Sequence, residues 1–222
     1  MNPAQPKIKL MIVDDHELVR HGLTSLLAGH DDIEVVAEVN SGELAIDYCR
    51  KSGGALDIIM MDINMPGMGG LEATQRIHKN WKHIGIIIVS VHADGSLPKR
   101  LLTGGARGYL SKGNKVDEMV AAIHDVYRGG CYIAKDIAQQ LALSALPGEK
   151  SQLDTLSPRE LQVLMMIAQG KRNCTISDTL NLSPKTISTY RARLHEKLEV
   201  DSDIEMMHFA IKHGLLDGST LE

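Results

Sequence analysis

Apolar positions follow one rhythm up to about residue 128 and another from residue 156 onward. In the first region, short continuous apolar runs alternate with amphipathic stretches. Residues 7–13 (KIKLMIV) form a β-rich run that ends in Asp14-Asp15, and residues 16–28 then place Leu18, Val19, Gly22, Leu23, Leu26 and Leu27 at helical spacing. Ile33 to Val39 is strand-like. Ser41 reads as the N-cap of a helix carrying Leu44, Ala45, Ile46 and Tyr48. Leu56–Met61 is a further apolar run, stopped by Asp62 and the turn residues Pro66-Gly67, and a helix is expected near Leu71–Lys79. Ile84–Val89 closes on Ser90, a helix follows near Ser96–Leu102, and Ala106–Leu110 closes on Ser111-Lys112. Val116, Met119, Val120, Ile123 and Val126 then mark one helical face.

Five strand-then-helix units in succession predict an α/β domain with a parallel, doubly wound sheet, right-handed crossovers and helices on both faces. Strands that are apolar throughout, rather than alternating, fit burial on both sides. This domain is expected over 7–129. Residues 130–152 read as a linker with its own helix near 134–146, followed by the turn-rich, polar and flexible segment Pro147 to Ser151. From 153 to 217 the pattern is wholly helical, with four helices. Ser157-Pro158-Arg159-Glu160 has the capping-box order with Pro at the first helical position. A helix near Asn173–Leu180, a turn at Asn181-Leu182, and a helix opened by Ser183-Pro184 and running to Leu198 come next. The last helix starts at Ser202 and runs to about His213, with Gly214 as its stop.

Composition narrows the possibilities. The 222 residues carry a net charge of −4, which argues against a chain that coats nucleic acid by bulk charge but leaves room for a local basic face. Cys49, Cys131 and Cys174 are isolated, so neither a disulfide framework nor a thiolate zinc site is indicated. Neither a signal peptide nor a membrane-length apolar run is seen, and the chain reads as cytoplasmic with no membrane partner.

The candidate chemistry lies where the strands stop. Asp62 alone could merely cap a turn. Asp14 and Asp15 follow the first strand, however, and Ser90 and Lys112 close the fourth and fifth. In a parallel sheet these ends share one edge, where open α/β folds bind their ligands. Three clustered carboxylates repel unless a cation joins them, and an all-oxygen set suits Mg2+, which takes one or two carboxylates. An Asp can attack phosphorus to give an aspartyl phosphate. Lys112 would add a point charge to the phosphoryl oxygens, and Ser90 a hydroxyl donor. His16, directly after the acidic pair, reads as a helix-start residue rather than a ligand.

With Asp14-Asp15, Asp62 followed by Met65-Pro66-Gly67 and Gly70, then Ser90, Tyr109 and Lys112, residues 8–128 resemble the receiver domain of a two-component response regulator. The resemblance implies strand order 2-1-3-4-5 and Asp62 as phosphoacceptor. It implies Mg2+ held by Asp15, Asp62 and the backbone carbonyl of Asn64, with Asp14 supporting through water. Ser90 and Tyr109 would form the switch pair. One departure is Gly113, where many receivers have Pro after the lysine.

The helix at 184–198 carries four Lys and Arg against one Glu, a local +3 within a region (150–222) of net −1. Ile187, Leu194 and Leu198 mark its inner face. A basic face of this kind suits phosphates and base edges, but also fits a solvated bundle surface or a protein or RNA contact. Leu156 to Glu160, Ile167 to Gly170, Ile176-Ser177, Leu180 to Ser183, Thr186-Ile187 and Lys197-Leu198 are similar to the LuxR-type helix-turn-helix of NarL/FixJ-class regulators. Cys174, Thr175 and Tyr190 depart from that pattern. Segments such as Gly108 to Gly113 and Leu182 to Thr186 bring the chain nearest to the GacA/UvrY type. This resemblance implies Lys185, Thr186, Ser188, Thr189, Arg191, Arg193 and Lys197 as DNA contacts. It also implies a sensor histidine kinase or its phosphotransfer domain as phosphodonor, a homodimer on promoter DNA when phosphorylated, and activation of small regulatory RNA genes. An aspartate-nucleophile phosphohydrolase is opposed by Asn64, which stands where that class needs an acid.

Overall fold

The computed structural model describes residues 6–90, 97–144, 152–213 and 215–216. They belong to two compact units, one drawn from Met1–Val91 with Leu101–Ala134 and the other from His92–Arg100 with Lys135–Glu222. The expected flexible segment 147–151 and the stop at Gly214 lie outside the described residues.

In the first unit the apolar runs become β1 (Ile8–Val13), β2 (Ile33–Val39), β3 (Ile58–Met61), β4 (Gly85–Ser90) and β5 (Gly108–Ser111). All pair in parallel. A sixth strand, β6 (Tyr132–Ile133), extends the sheet to the order β2-β1-β3-β4-β5-β6. It lies within the stretch expected to be linker. With two residues it carries no periodicity to read, and its identity comes from the Tyr132 and Ala134 amides donating to Arg107 O and Tyr109 O at 2.9 and 3.1 Å.

The helices that follow these strands along the chain are α1 (Glu17–Leu27), α2 (Gly42–Lys51), α3 (Gly70–Asn80), α4 (Leu97–Thr103), whose residues up to Arg100 are counted with the other unit, and α5 (Val116–Tyr127). Every residue of β3 and β4 is buried, as expected for strands covered on both faces. One face sets Leu10, Ile12, Ile58, Met60, Ile87 and Val89 against Leu23 and Leu27 of α1 and Met119, Ile123 and Val126 of α5. The alternate residues Met11, Ile59, Met61, Ile86 and Ile88 point the other way and are equally buried, as are Ala45, Cys49, Ala73 and Ile77 of α2 and α3. Each such aliphatic side chain contributes roughly 1.5–3 kcal/mol over its exposed state. This double-sided burial holds the strand ends in register.

The second unit holds α6 (Lys135–Ser144), a single 3-10 turn (Gln152–Thr155), α7 (Pro158–Ala168), α8 (Asn173–Leu180), α9 (Pro184–Leu198) and α10 (Asp203–Lys212). The capping box is present in both directions: the Glu160 amide donates to Ser157 Oγ at 3.2 Å, and the Ser157 amide to Glu160 Oε2 at 2.8 Å. Ser183 and Ser202 cap α9 and α10 through Thr186 N and Glu205 N. Asn181 ends α8 in the left-handed region at φ 51°, turning the chain into α9. Leu161, Leu164, Ile176, Leu180, Ile187, Leu194, Leu198, Met206 and Ala210 fill the core between these helices.

One close approach ties the sheet to its helices. Gly70 opens α3 directly against the chain leaving β3, and a Cβ there would lie 2.0 Å from the backbone oxygen of Asp62. Gly70→Ala is therefore expected to cost about 1–3 kcal/mol of stability in urea unfolding, by displacing backbone rather than a flexible side chain. Gly113→Ala, whose nearest neighbour is Ser111 Oγ at 3.8 Å, is expected to stay within about 0.5 kcal/mol of the parent.

Candidate functional site

The carboxyl edge of the sheet gathers the polar residues that end its strands. Asp14 follows β1, Asp62 follows β3, Ser90 ends β4, and Lys112 follows β5. Asp14, Asp62 and Ser90 are buried at 3%, 4% and 1% exposure. Lys112 Nζ lies 2.6 Å from Asp14 Oδ2 and 3.0 Å from Asp62 Oδ1, so one ammonium bridges the carboxylates that follow β1 and β3. The other Asp62 oxygen accepts the Asn64 amide at 3.0 Å. Asp15 is partly exposed, and its Oδ1 is shut off from solvent without a hydrogen-bond partner.

Electrostatics follow from this geometry. Burial pushes the Asp62 carboxyl above the ordinary carboxylate range; the Lys112 charge pulls it back, and Asp14 and then Asp15 push it up again. Burial works against the Lys112 charge too, but Asp62 and Asp14 outweigh it and hold the ammonium above its usual value. Lys112 pairs with Asp14 and Asp62 but not with Asp15. Asp14, Asp15 and His16 each offer a ligand atom to one place, and with the orphaned, solvent-shielded oxygen at Asp15 they fit a divalent ion of the Mg2+ kind.

Several residues serve this edge that sequence reading did not single out. Arg20 donates to the Asp14 carbonyl at 2.7 Å. Glu43, in the first turn of α2, accepts the Met68 amide at 2.7 Å and steadies the loop after Asp62. The Asn114 side chain accepts the Ser111 amide at 2.6 Å, fixing the turn that presents Lys112. Each is a polar residue in a loop or first turn, and only the fold brings it to its partner. His16 does begin α1 as its N-cap, yet its ring does not cap the helix. It lies 3.1 Å from Asp14 Oδ1 and 3.0 Å from Asp15 Oδ1 instead. Tyr109 is fully buried on β5, paired across from Ile88, two residues before Ser90. No described peptide bond is cis, so Lys112-Gly113 is trans.

In the helical unit, α9 presents Lys185, Ser188, Thr189 and Arg193 as exposed residues, with Thr186 half-buried. Arg191 and Lys197 are placed differently. The Arg191 guanidinium pairs with Asp203 of α10 and donates to Asn173 Oδ1 of α8 at 2.8 Å. Lys197 Nζ lies 2.7 Å from Glu160 Oε2 and 3.1 Å from Thr155 O. Although burial opposes it, the Lys197 and Ser157 hydrogen bonds hold the Glu160 carboxyl below its usual range. Both cations act as struts within the helical unit. A basic residue on a helix reads alike from sequence whether it faces solvent or a neighbouring carboxylate.

Residues 10–124 match the response regulator receiver domain, and residues 154–210 match the bacterial regulatory proteins of the luxR family. The chain belongs to the two-component response regulators that carry a LuxR-type DNA-binding domain. Within that family it is similar to the response regulator UvrY of Escherichia coli (strain K12), 47% identical over 96% of this chain and 98% of that protein. It is also similar to the response regulator GacA of Pseudomonas aeruginosa, 42% identical over 96% and 100% of the two chains. RcsB of Salmonella typhimurium shares the fold with a TM-score of 0.72, at 22% identity over 94% of this chain and 99% of that one. Among the described residues, no helix is long and apolar enough to cross a membrane.

The buried carboxylate at Asp62 has a measurable cost. Its folded pKa is raised, so the folded state loses stability from this group as pH rises from the unfolded value of 3.8 through the folded one. Asp62→Asn removes that loss. The variant is expected to be more stable than the parent at neutral pH, and the gap should close as pH falls through the raised Asp62 pKa. Urea midpoints across that range check the sign.

Proposed function

We propose that Asp62 is the phosphoacceptor of this response regulator. The observation that supports it best is the bridge from Lys112 to Asp14 and Asp62 at 2.6 and 3.0 Å. It sets a nucleophilic carboxylate, an acidic partner and a fixed ammonium at one sheet edge. An Asp62 oxygen attacks the donor's phosphorus; the new P–O bond forms as the donor's bond to phosphorus breaks, and the leaving group departs with that electron pair. The donor is the phosphohistidine of a sensor kinase or of its phosphotransfer domain. Lys112 then pairs with the phosphoryl oxygens as a point charge. Asp15, Asp62 and the Asn64 carbonyl would hold Mg2+, with Asp14 in support; the ion supplies charge neutralisation on the phosphoryl group. Self-phosphorylation from small donors and slow self-dephosphorylation belong to the same site.

Ser90 is the hydroxyl that meets a new phosphate oxygen, and Tyr109 responds to its movement. Phosphorylation adds up to two negative charges where Lys112 already bridges two carboxylates. The output is dimerisation on promoter DNA, with α9 in the major groove. Lys185, Thr186, Ser188, Thr189 and Arg193 make the DNA contacts, while Arg191 and Lys197 position the helix that carries them. Genes for small regulatory RNAs are the targets that the GacA/UvrY resemblance suggests.

Asp62→Ala is expected to abolish labelling by acetyl phosphate and to uncouple promoter binding from phosphodonor; undiminished labelling would remove Asp62 from the role. The division among the α9 cations has its own signature in binding measured against salt. Arg193→Ala should lower the slope of log K against log salt by about one and leave stability unchanged. Arg191→Ala should cost about 1–3 kcal/mol in urea unfolding, because Asp203 and Asn173 lose their donor, with the salt slope preserved.

A further inference from the structure

The side chain of His16 is spent on the acidic pair rather than on its helix. Its backbone sits at the N-cap of α1 with φ −87° and ψ 110°, a position where a side chain would normally accept from the first turn, and the ring makes no such bond. Instead Nδ1 lies 3.1 Å from Asp14 Oδ1 and 3.0 Å from Asp15 Oδ1. The Asp15 oxygen is closed to solvent and receives no hydrogen bond even though a ring nitrogen stands beside it. One donor atom each from Asp14, Asp15 and His16 falls within 4.8 Å of the others. Neighbouring ligands of an octahedral ion at about 2.1 Å stand about 3.0 Å apart, which is the spacing of Nδ1 from each of the two carboxylate oxygens. One oxygen of Asp14 is taken by Lys112 at 2.6 Å and the other accepts the His16 amide at 2.8 Å, so Asp15 Oδ1 is the oxygen beside the ring that no hydrogen bond occupies. The ring is 64% exposed and can adjust its angle without repacking the core.

We propose that His16 is a nitrogen ligand of this cation site and shifts its preference from Mg2+ towards Mn2+ and the later first-row divalent ions. The inference rests on the reading of the acidic edge as a cation site. Mg2+ gains little from imidazole and keeps oxygen donors and water. Mn2+, Co2+, Ni2+ and Zn2+ accept an imidazole nitrogen with rising affinity along the series. Direct ligation would use the Nδ1 lone pair and put the ring proton on Nε2, so the ion would take the place of the hydrogen bond that Nδ1 shares with Asp14 Oδ1 at 3.1 Å. Receiver chemistry would then run with more than one cellular ion, and His16 would set which ion holds the site.

The test is pulsed electron paramagnetic resonance on the full chain loaded with Mn2+, together with competition between Mn2+ and Mg2+. The parent is expected to show nitrogen-14 coupling from a directly bound imidazole. His16→Gln should lose that coupling and lower the Mn2+ to Mg2+ affinity ratio by about tenfold; His21→Gln, one helical turn away on α1, should keep both. Mn2+ that binds without nitrogen coupling, or an affinity ratio unchanged in His16→Gln, overturns the ligand assignment while leaving the acidic site intact. A parent chain that binds neither ion overturns the cation site itself, and this inference with it.

Discussion

Three carboxylates crowd one edge of the sheet, and a single ammonium stands among them. Asp14 and Asp62 are almost wholly buried, and like charges at such range cannot both stay ionised without a counter-charge. Lys112 provides it from the end of β5, 98 residues from Asp14 in the chain. That pairing holds only while β1, β3, β4 and β5 keep their register. The register in turn depends on strands that are apolar on both faces and clamped between two helical layers. The core therefore serves the site directly: a one-residue slip would turn alternate side chains over and carry the carboxylates off the edge.

The site is built against stability rather than for it. Burial lifts Asp62 above the usual carboxylate range even with Lys112 at 3.0 Å, so holding its charge costs the folded state stability. A divalent cation at this edge would lower that cost. The edge is a place where arriving charge finds partners already positioned. The surrounding loop is fixed by short-range means. Glu43 holds the Met68 amide, Asn114 holds the Ser111 amide, and Gly70 lets α3 approach the backbone of Asp62.

The helical unit separates cations that look equivalent along the chain. Lys185 and Arg193 are exposed on α9, whereas Arg191 and Lys197 are engaged by Asp203, Asn173 and Glu160 of other helices. Glu160 has a double duty, closing the capping box of α7 and receiving Lys197 from α9. The local positive charge of α9 is thus partly consumed in holding that helix, and what it leaves exposed is narrower than its composition suggests.

Much of this molecule was legible before any coordinates. The β-then-α alternation, the helix-turn-helix spacing, the Ser-Pro helix starts and the polar residues at strand ends are local patterns. Local patterns survive because the side-chain periods of 2.0 and 3.6 leave a trace in the order of residues. Two kinds of feature left none. The strand β6 is too short to have a period, and its pairing is decided by the backbone groups that β5 offers. The partners of His16, Glu43, Arg191 and Lys197 are set by where the fold brings distant polar atoms together. Sequence determined which elements form and which residues end them. Only the tertiary structure decided which charges face each other, because a charge reads the same in the chain whether water or a carboxylate is waiting for it.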